Sequence, residues 1–224
     1  MRGFLRHNSL SLVFLALFLL ALVLQAIAGH ADFNEDQLRH GDPEISLGRY
    51  VVSSAFATAV LENWQSEYLQ FTLFIILTVW LIQRGSPESK EPHKAGRESD
   101  EDQMVGEHAR GASPRWARAR GWRLKLYENS LLIVMLTIWL GSWLAQSITG
   151  VAEYNAERLD HQELPVSWAD YLTRGDFWEK TLQNWQSEFL AVGSMAILAV
   201  YLRQRGSPES KPVGAPHHAT GTEE

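Results

Sequence analysis

Asn63, Ser66 and Glu67 stand in the pentapeptide NWQSE, and the same five letters return 121 positions later with Asn184, Ser187 and Glu188. On a helix, Asn63, Ser66, Glu67 and Gln70 share one face, with Trp64 and Tyr68 forming an aromatic stripe beside it. The second copy repeats the arrangement with Trp185 and Phe189. A carboxylate next to a hydroxyl and an amide can hydrogen-bond to a neighbouring helix, anchor a membrane interface in headgroup water, or hold a proton, ion or small solute. Both copies lead into long apolar runs, and an ionisable group facing a helix bundle in hydrocarbon is by default a site hypothesis. Catalysis has less to stand on. The cluster lacks a nucleophile with an adjacent base, and the chain contains no Walker loop, GxGxxG or GxSxG. No cofactor is expected.

His40 and His161 form a second matched pair, each among carboxylates. Two imidazoles with nearby acids can ligate Zn²⁺, but HxxxH and HExxH spacings are missing, so surface histidines are the plainer expectation. The absence of cysteine excludes disulfides, thiolate metal sites and cysteine nucleophiles.

The elements that must position these groups follow from four apolar blocks. Residues 10–27 and 131–148 are each about as long as the roughly 20 residues that span hydrocarbon. Residues 68–82 and 189–202 are shorter, and they reach that length only if the NWQSE residues also lie within or beside the membrane. Arg2, Arg6, the first apolar run and the triplet at 26–28 have the look of a signal peptide, yet the run exceeds a signal's usual 7 to 15 residues. It also has a counterpart later in the chain, so the expectation is a retained membrane helix.

The offset that aligns the pentapeptides aligns the rest. Gln25 falls on Gln146, Gly29 on Gly150, Asn34 on Asn155, Tyr50 on Tyr171, and QRGSPESK at 83–90 on 204–211. The chain reads as an all-α integral membrane protein, four transmembrane helices made by tandem duplication of a helical hairpin. Each hairpin crosses an even number of times, so the repeats are parallel, related by a pseudo-two-fold along the membrane normal. The first repeat occupies 1–84, with helices about 8–29 and 54–84 and an outer loop at 30–53. The second occupies 115–205, with helices about 129–150 and 176–205. Ser54 in the first copy, and Asp176 with Glu179 in the second, mark helix starts, while Gly85 and Gly206 followed by Ser-Pro mark stops. Residues 85–114 and 206–224 are polar and read as a disordered linker and tail.

Lys and Arg set the orientation. Fifteen of the 20 lie in the N-terminal segment, the central connection and the tail, which places those parts in the cytoplasm and the two acidic loops outside. Counting 17 residues from Arg84 and from Asn8 puts Glu67 and Gln25 at one depth, roughly 26 Å from the inner interface, so Gln25 with Glu67, and Gln146 with Glu188, are expected bonding pairs. Between linker and third helix, residues 115–127 interleave Arg115, Arg118, Arg120, Arg123 and Lys125 with Trp116, Trp122 and Tyr127. Such a segment at the cytoplasmic face suits anionic lipid, or serves only as a topogenic signal. Four serines, at 86, 89, 207 and 210, can accept phosphate.

The helix starts NSLS and ENSL, the segments GHADFN and GVAEYN, the two NWQSE motifs and the QRGSPESK exit together resemble an uncharacterised family of bacterial four-span membrane proteins. The resemblance covers nearly the whole chain and implies a bacterial cytoplasmic membrane protein, but no activity. The expected role is a non-enzymatic structural or accessory protein whose partners are the bilayer and, in a homo-oligomer or membrane assembly, other chains. The alternative is a small transporter or channel using Gln25, Glu67, Gln146 and Glu188, and a membrane enzyme comes third. No nucleic-acid partner is expected.

Overall fold

A computed structural model describes residues 2–221. The described residues form eight α-helices and no strand: α1 (Arg2–His7), α2 (Ser9–His40), α3 (Leu47–Tyr50), α4 (Ser54–Leu77), α5 (Trp122–Glu128), α6 (Ser130–Asp160), α7 (Trp168–Tyr171) and α8 (Gly175–Tyr201). Two compact units emerge. One comprises Met1–Leu61 with Ala145–Phe177, the other Glu62–Leu144 with Trp178–Glu224. Their boundaries differ from those of the repeats, because each unit takes chain from both copies.

α2 and α6 are long and apolar enough to cross a membrane. α4 and α8 are not in that class, although their 24 and 27 residues correspond to about 36 and 40 Å. The NWQSE letters dilute the apolar character of both.

The first unit shows how α2 and α6 end. Sequence placed the ends near 29 and 150, but the helices run on to His40 and Asp160. Neither glycine is a stop. A Cβ at Gly29 would strike the Tyr50 hydroxyl, and one at Gly150 would come within 2.7 Å of the Tyr171 hydroxyl. Both are close-approach positions inside a helix, where the missing side chain makes room for a buried tyrosine ring. The left-handed closing residue comes twelve positions later in each copy. Gly41, at φ 84°, sends its N–H to the Leu38 carbonyl and is followed by an Asp42 N–H to the Gln37 carbonyl, a Schellman closure. In the second copy the same two bonds run from Gln162 to Leu159 and from Glu163 to Arg158, but Gln162 holds the left-handed conformation at φ 59° without being glycine.

The segments expected to be outer loops are ordered by one repeated clamp. The Asn34 amide donates to the Ile45 carbonyl at 3.0 Å, and its Oδ1 accepts the Ile45 N–H at 2.9 Å. Asn155 does the same to Val166, at 2.9 and 2.8 Å. An asparagine is suited to this task because its planar amide carries a donor and an acceptor side by side. Ser46 and Ser167 then cap α3 and α7, which deliver Tyr50 and Tyr171 to the glycines. Around Tyr50 stand His30, Phe33 and Phe56; around Tyr171 stand Tyr154 and Phe177. Burial, with Asp32 and Glu153 adding to it, pushes the Tyr50 hydroxyl above the usual phenol range. Asp176 sits in the first turn of α8 and accepts the Tyr171 hydroxyl at 2.9 Å.

In the second unit α4 stops at Leu77, earlier than residue 84. The Phe74 carbonyl accepts both the Thr78 hydroxyl, at 2.6 Å, and the Thr78 N–H, at 3.1 Å. α8 reaches Tyr201, short of 205. Residues 85–114 carry only short 3₁₀ turns, at Pro92–Lys94 and Gly106–His108.

The closure at Gln162 yields a prediction. Gln162→Gly should raise thermal stability by about 1 kcal/mol, since an L side chain in the left-handed region costs roughly 1–2 kcal/mol. Gly150→Ala should lower it. Melting curves of the purified protein in detergent read both; an unchanged or lower midpoint for Gln162→Gly would contradict the strain argument.

Candidate functional site

Within the second unit the two NWQSE copies meet each other. The Trp185 indole N–H donates to the Gln65 Oε1 at 2.6 Å, and the Ser66 hydroxyl faces Glu188 Oε1 at 3.5 Å. Gln65 is fully buried and Ser66 is 1% exposed. A buried amide left without partners costs about 1–3 kcal/mol, so the indole N–H fixes the register between α4 and α8. The other Gln65 group donates to the Glu62 carbonyl at 3.1 Å. Ser66 and Ser187 both also turn back onto the carbonyl three residues earlier, Asn63 and Asn184 respectively.

The copies are identical in letters and different in environment. Gln186, Ser187 and Glu67 are exposed, whereas Gln65 and Ser66 are buried and Glu188 is half-buried. Asn63 is exposed, and Asn184 is half-buried with its amide on the Lys180 carbonyl at 2.8 Å. Gln25 is half-buried, and among the described residues it takes no side-chain hydrogen bond. Gln146 is 2% exposed with its Oε1 unsatisfied. Each motif thus finds its partner in the other motif, an interaction that sequence reasoning did not foresee. Gln65 and Trp185 were absent from the expected cluster, and only their place inside a repeated pentapeptide pointed to them.

Aromatic rings extend the contact. Trp143 lies 5.6 Å from Trp185, 6.1 Å from Trp139 and 6.1 Å from Trp178, ring centre to ring centre, in tilted, stacked and edge-on arrangements of the kind that aromatic pairs favour. The Trp143 N–H donates to the Thr181 hydroxyl at 3.3 Å.

The repeated GSPESK exits meet as well. Ser86 and Ser207 accept the N–H of Glu88 and Glu209, while Ser89 and Ser210 accept those of Gln83 and Gln204 at 3.0 and 2.9 Å. Those hydroxyls are spent on folding the turn, and Ser86 is 2% exposed, so phosphate on it would break the turn. Glu88 hydrogen-bonds Glu209, its own duplicate, and this shared contact raises the Glu88 carboxyl from 4.5 to about 7, with burial and the Glu209 charge adding to the effect. Lys211 is buried and donates to the carbonyls of Pro216, His217 and Ala219, tying down the tail expected to be disordered. Lys90 does similar work at the start of the linker, donating to the Gly96 carbonyl and pairing with Glu98 at 2.9 Å.

The remaining expected sites are surface features. His40 and His161 each bond the carbonyl four residues earlier, of Asp36 and Glu157, at a helix C-terminus. That carbonyl bond, with the acids around it, raises the His161 pKa, which suits a cation at the negative end of a helix dipole. Among the described residues no group of three or more His, Asp or Glu could hold a metal ion. Arg115 and Arg118 lie in a 3₁₀ turn, Arg123 and Lys125 on α5, and Arg120 between them. Trp116 and Trp122 are 49% and 67% exposed, and the Arg123 guanidinium sits 5.6 Å from the Trp122 ring centre.

These features define an all-helical protein carrying two helices suited to crossing a membrane and two polar motifs that pair with their own copies. Residues 1–222 match the family described as Domain of unknown function (DUF6766), and the chain belongs to that family. No curated protein and no solved structure matches it.

Two predictions arise. Gln65→Ala should cost about 1 kcal/mol or more and Gln186→Ala close to nothing, because only the first amide is buried and bonded; equal losses would show that the copies are equivalent. A carboxyl whose folded pKa lies above its unfolded value contributes stability that is present at low pH and lost as pH rises through the folded value. The melting temperature should therefore fall between pH 5 and 8, through the value of about 7 for Glu88, and Glu209→Gln should flatten that slope.

Proposed function

We propose that the chain is a four-span integral membrane protein with a non-enzymatic structural or accessory role. The observation that carries this reading is the bond between the two NWQSE copies. The Gln65 amide, the Ser66 hydroxyl, the Trp185 indole and Glu188 are engaged in joining α4 to α8 rather than offered to a solute. In this reading α2, α4, α6 and α8 cross the bilayer as two parallel hairpins. Gln65 and Ser66 on α4 are satisfied against Trp185 and Glu188 on α8, and polar side chains bonded between helices are tolerated in lipid.

The termini and linker face the cytoplasm of a bacterial inner membrane, where the Lys and Arg excess lies. The exposed rings and guanidinium groups of residues 115–127 rest on anionic lipid at that face. A second copy or other membrane proteins provide the assembly to which it is accessory.

Impermeant thiol reagents test the topology. A cysteine at Ser99 should be shielded in intact cells and one at the exposed Glu44 labelled; the reverse pattern overturns the orientation. Role is tested in proteoliposomes, where Gln65→Ala and Glu188→Gln should lower the melting temperature of the protein and leave proton and cation flux at the level of empty vesicles. Flux in the wild type that either variant abolishes would instead establish a transport site.

A further inference from the structure

The second unit contains a cavity of about 520 Å³, inside the roughly 300–1,000 Å³ range of ligand pockets. Its walls are apolar for most of their length: Leu73 and Leu77 on one side, Val192, Gly193 and Ala196 on the other. The space exists because α8 presents small residues where α4 presents large ones. A Cβ built on Gly193 meets nothing within 4 Å. Polar groups gather mainly at one end, where the exit turn brings Gln83, Ser86, Glu88 and Ser89. Of these, the Ser86 and Ser89 hydroxyls are already committed to backbone N–H groups. The Glu88 carboxyl remains as the acidic feature of the lining, and Glu209, outside the lining, hydrogen-bonds to it through a shared proton. A cation can take the place of that proton.

A mainly apolar cavity with a carboxyl group on its wall, itself bonded to a second carboxyl, has the polarity of a single-tailed portion of a lipid with a positive head. An anionic head would meet like charge, and a quaternary ammonium offers no N–H to a carboxylate. We propose that this cavity binds one acyl chain of a bilayer aminophospholipid, its primary ammonium donating to Glu88 and Glu209. The proposal rests on the membrane reading given above, under which the cavity lies alongside the bilayer and the exit turn lies at its cytoplasmic face.

The test uses the full-length protein, stripped of lipid in detergent and titrated with dioleoyl phosphatidylethanolamine or dioleoyl phosphatidylcholine, with bound lipid counted by native mass spectrometry. The expected result is one saturable lipid, with the ethanolamine head favoured. Gly193→Phe fills the apolar channel and should lower occupancy at least tenfold; Ala196→Met gives a milder filling if the larger ring prevents folding. Glu88→Gln should keep lipid binding and lose the preference for ethanolamine over choline. Equal occupancy in the wild type and the filled variants would mean nonspecific surrounding lipid and sink the site. An undiminished head-group preference in Glu88→Gln would sink the ammonium assignment. Release of the protein from membranes by alkaline carbonate would overturn the membrane reading and the site with it, whereas retention with no saturable lipid would overturn the site alone.

Discussion

A polar side chain removed from water must be given a partner, and that requirement organises the second unit. Gln65 is wholly buried and would be destabilising alone, but the Trp185 indole makes it a fixed point between two helices. Everything near it then has a defined register. The tryptophan cluster closes over the same helices, and the exit turns of both copies come together at Glu88 and Glu209. Hydrophobic packing alone would tolerate sliding of one apolar helix along another. A directional bond between an indole and an amide does not.

The first unit uses the same economy in a different form. Two asparagines each bind one backbone unit by both of its polar groups, and two tyrosines each fill the notch left by a helical glycine. Neither clamp involves a disulfide, since the chain contains no cysteine. The close agreement of bond lengths at positions 121 apart reflects residues chosen for the same geometric task.

Much of this was legible from the letters, and the failures have identifiable causes. The helical class, the apolar helices α2 and α6, the start of α4 at Ser54 and the matched positions of Gly, Asn and Tyr all followed from periodicity and self-alignment. Helix ends did not. The expected ends near 29 and 150 fall short, and only the distant tyrosines reveal that Gly29 and Gly150 are notches inside longer helices. Gln162 gave no sign at all, since glutamine is an unusual residue for a left-handed closure. At the site, charge and polarity point to Asn63, Ser66, Glu67, Asn184, Ser187 and Glu188, but not to Gln65 and Trp185, which carry the bond. A one-dimensional comparison shows that two motifs are the same. It does not show that they touch, or that burial falls on one copy and exposure on the other.

The meeting of Glu88 with Glu209 has an implication for ancestry. A residue in contact with its own duplicate occupies the place of a residue on the dyad of an isologous dimer, where the surface presented by one subunit is the surface received by the other. Two identical segments so placed need not keep identical surroundings, and the pentapeptide shows the divergence: one glutamine sealed in the interior, its twin released to solvent.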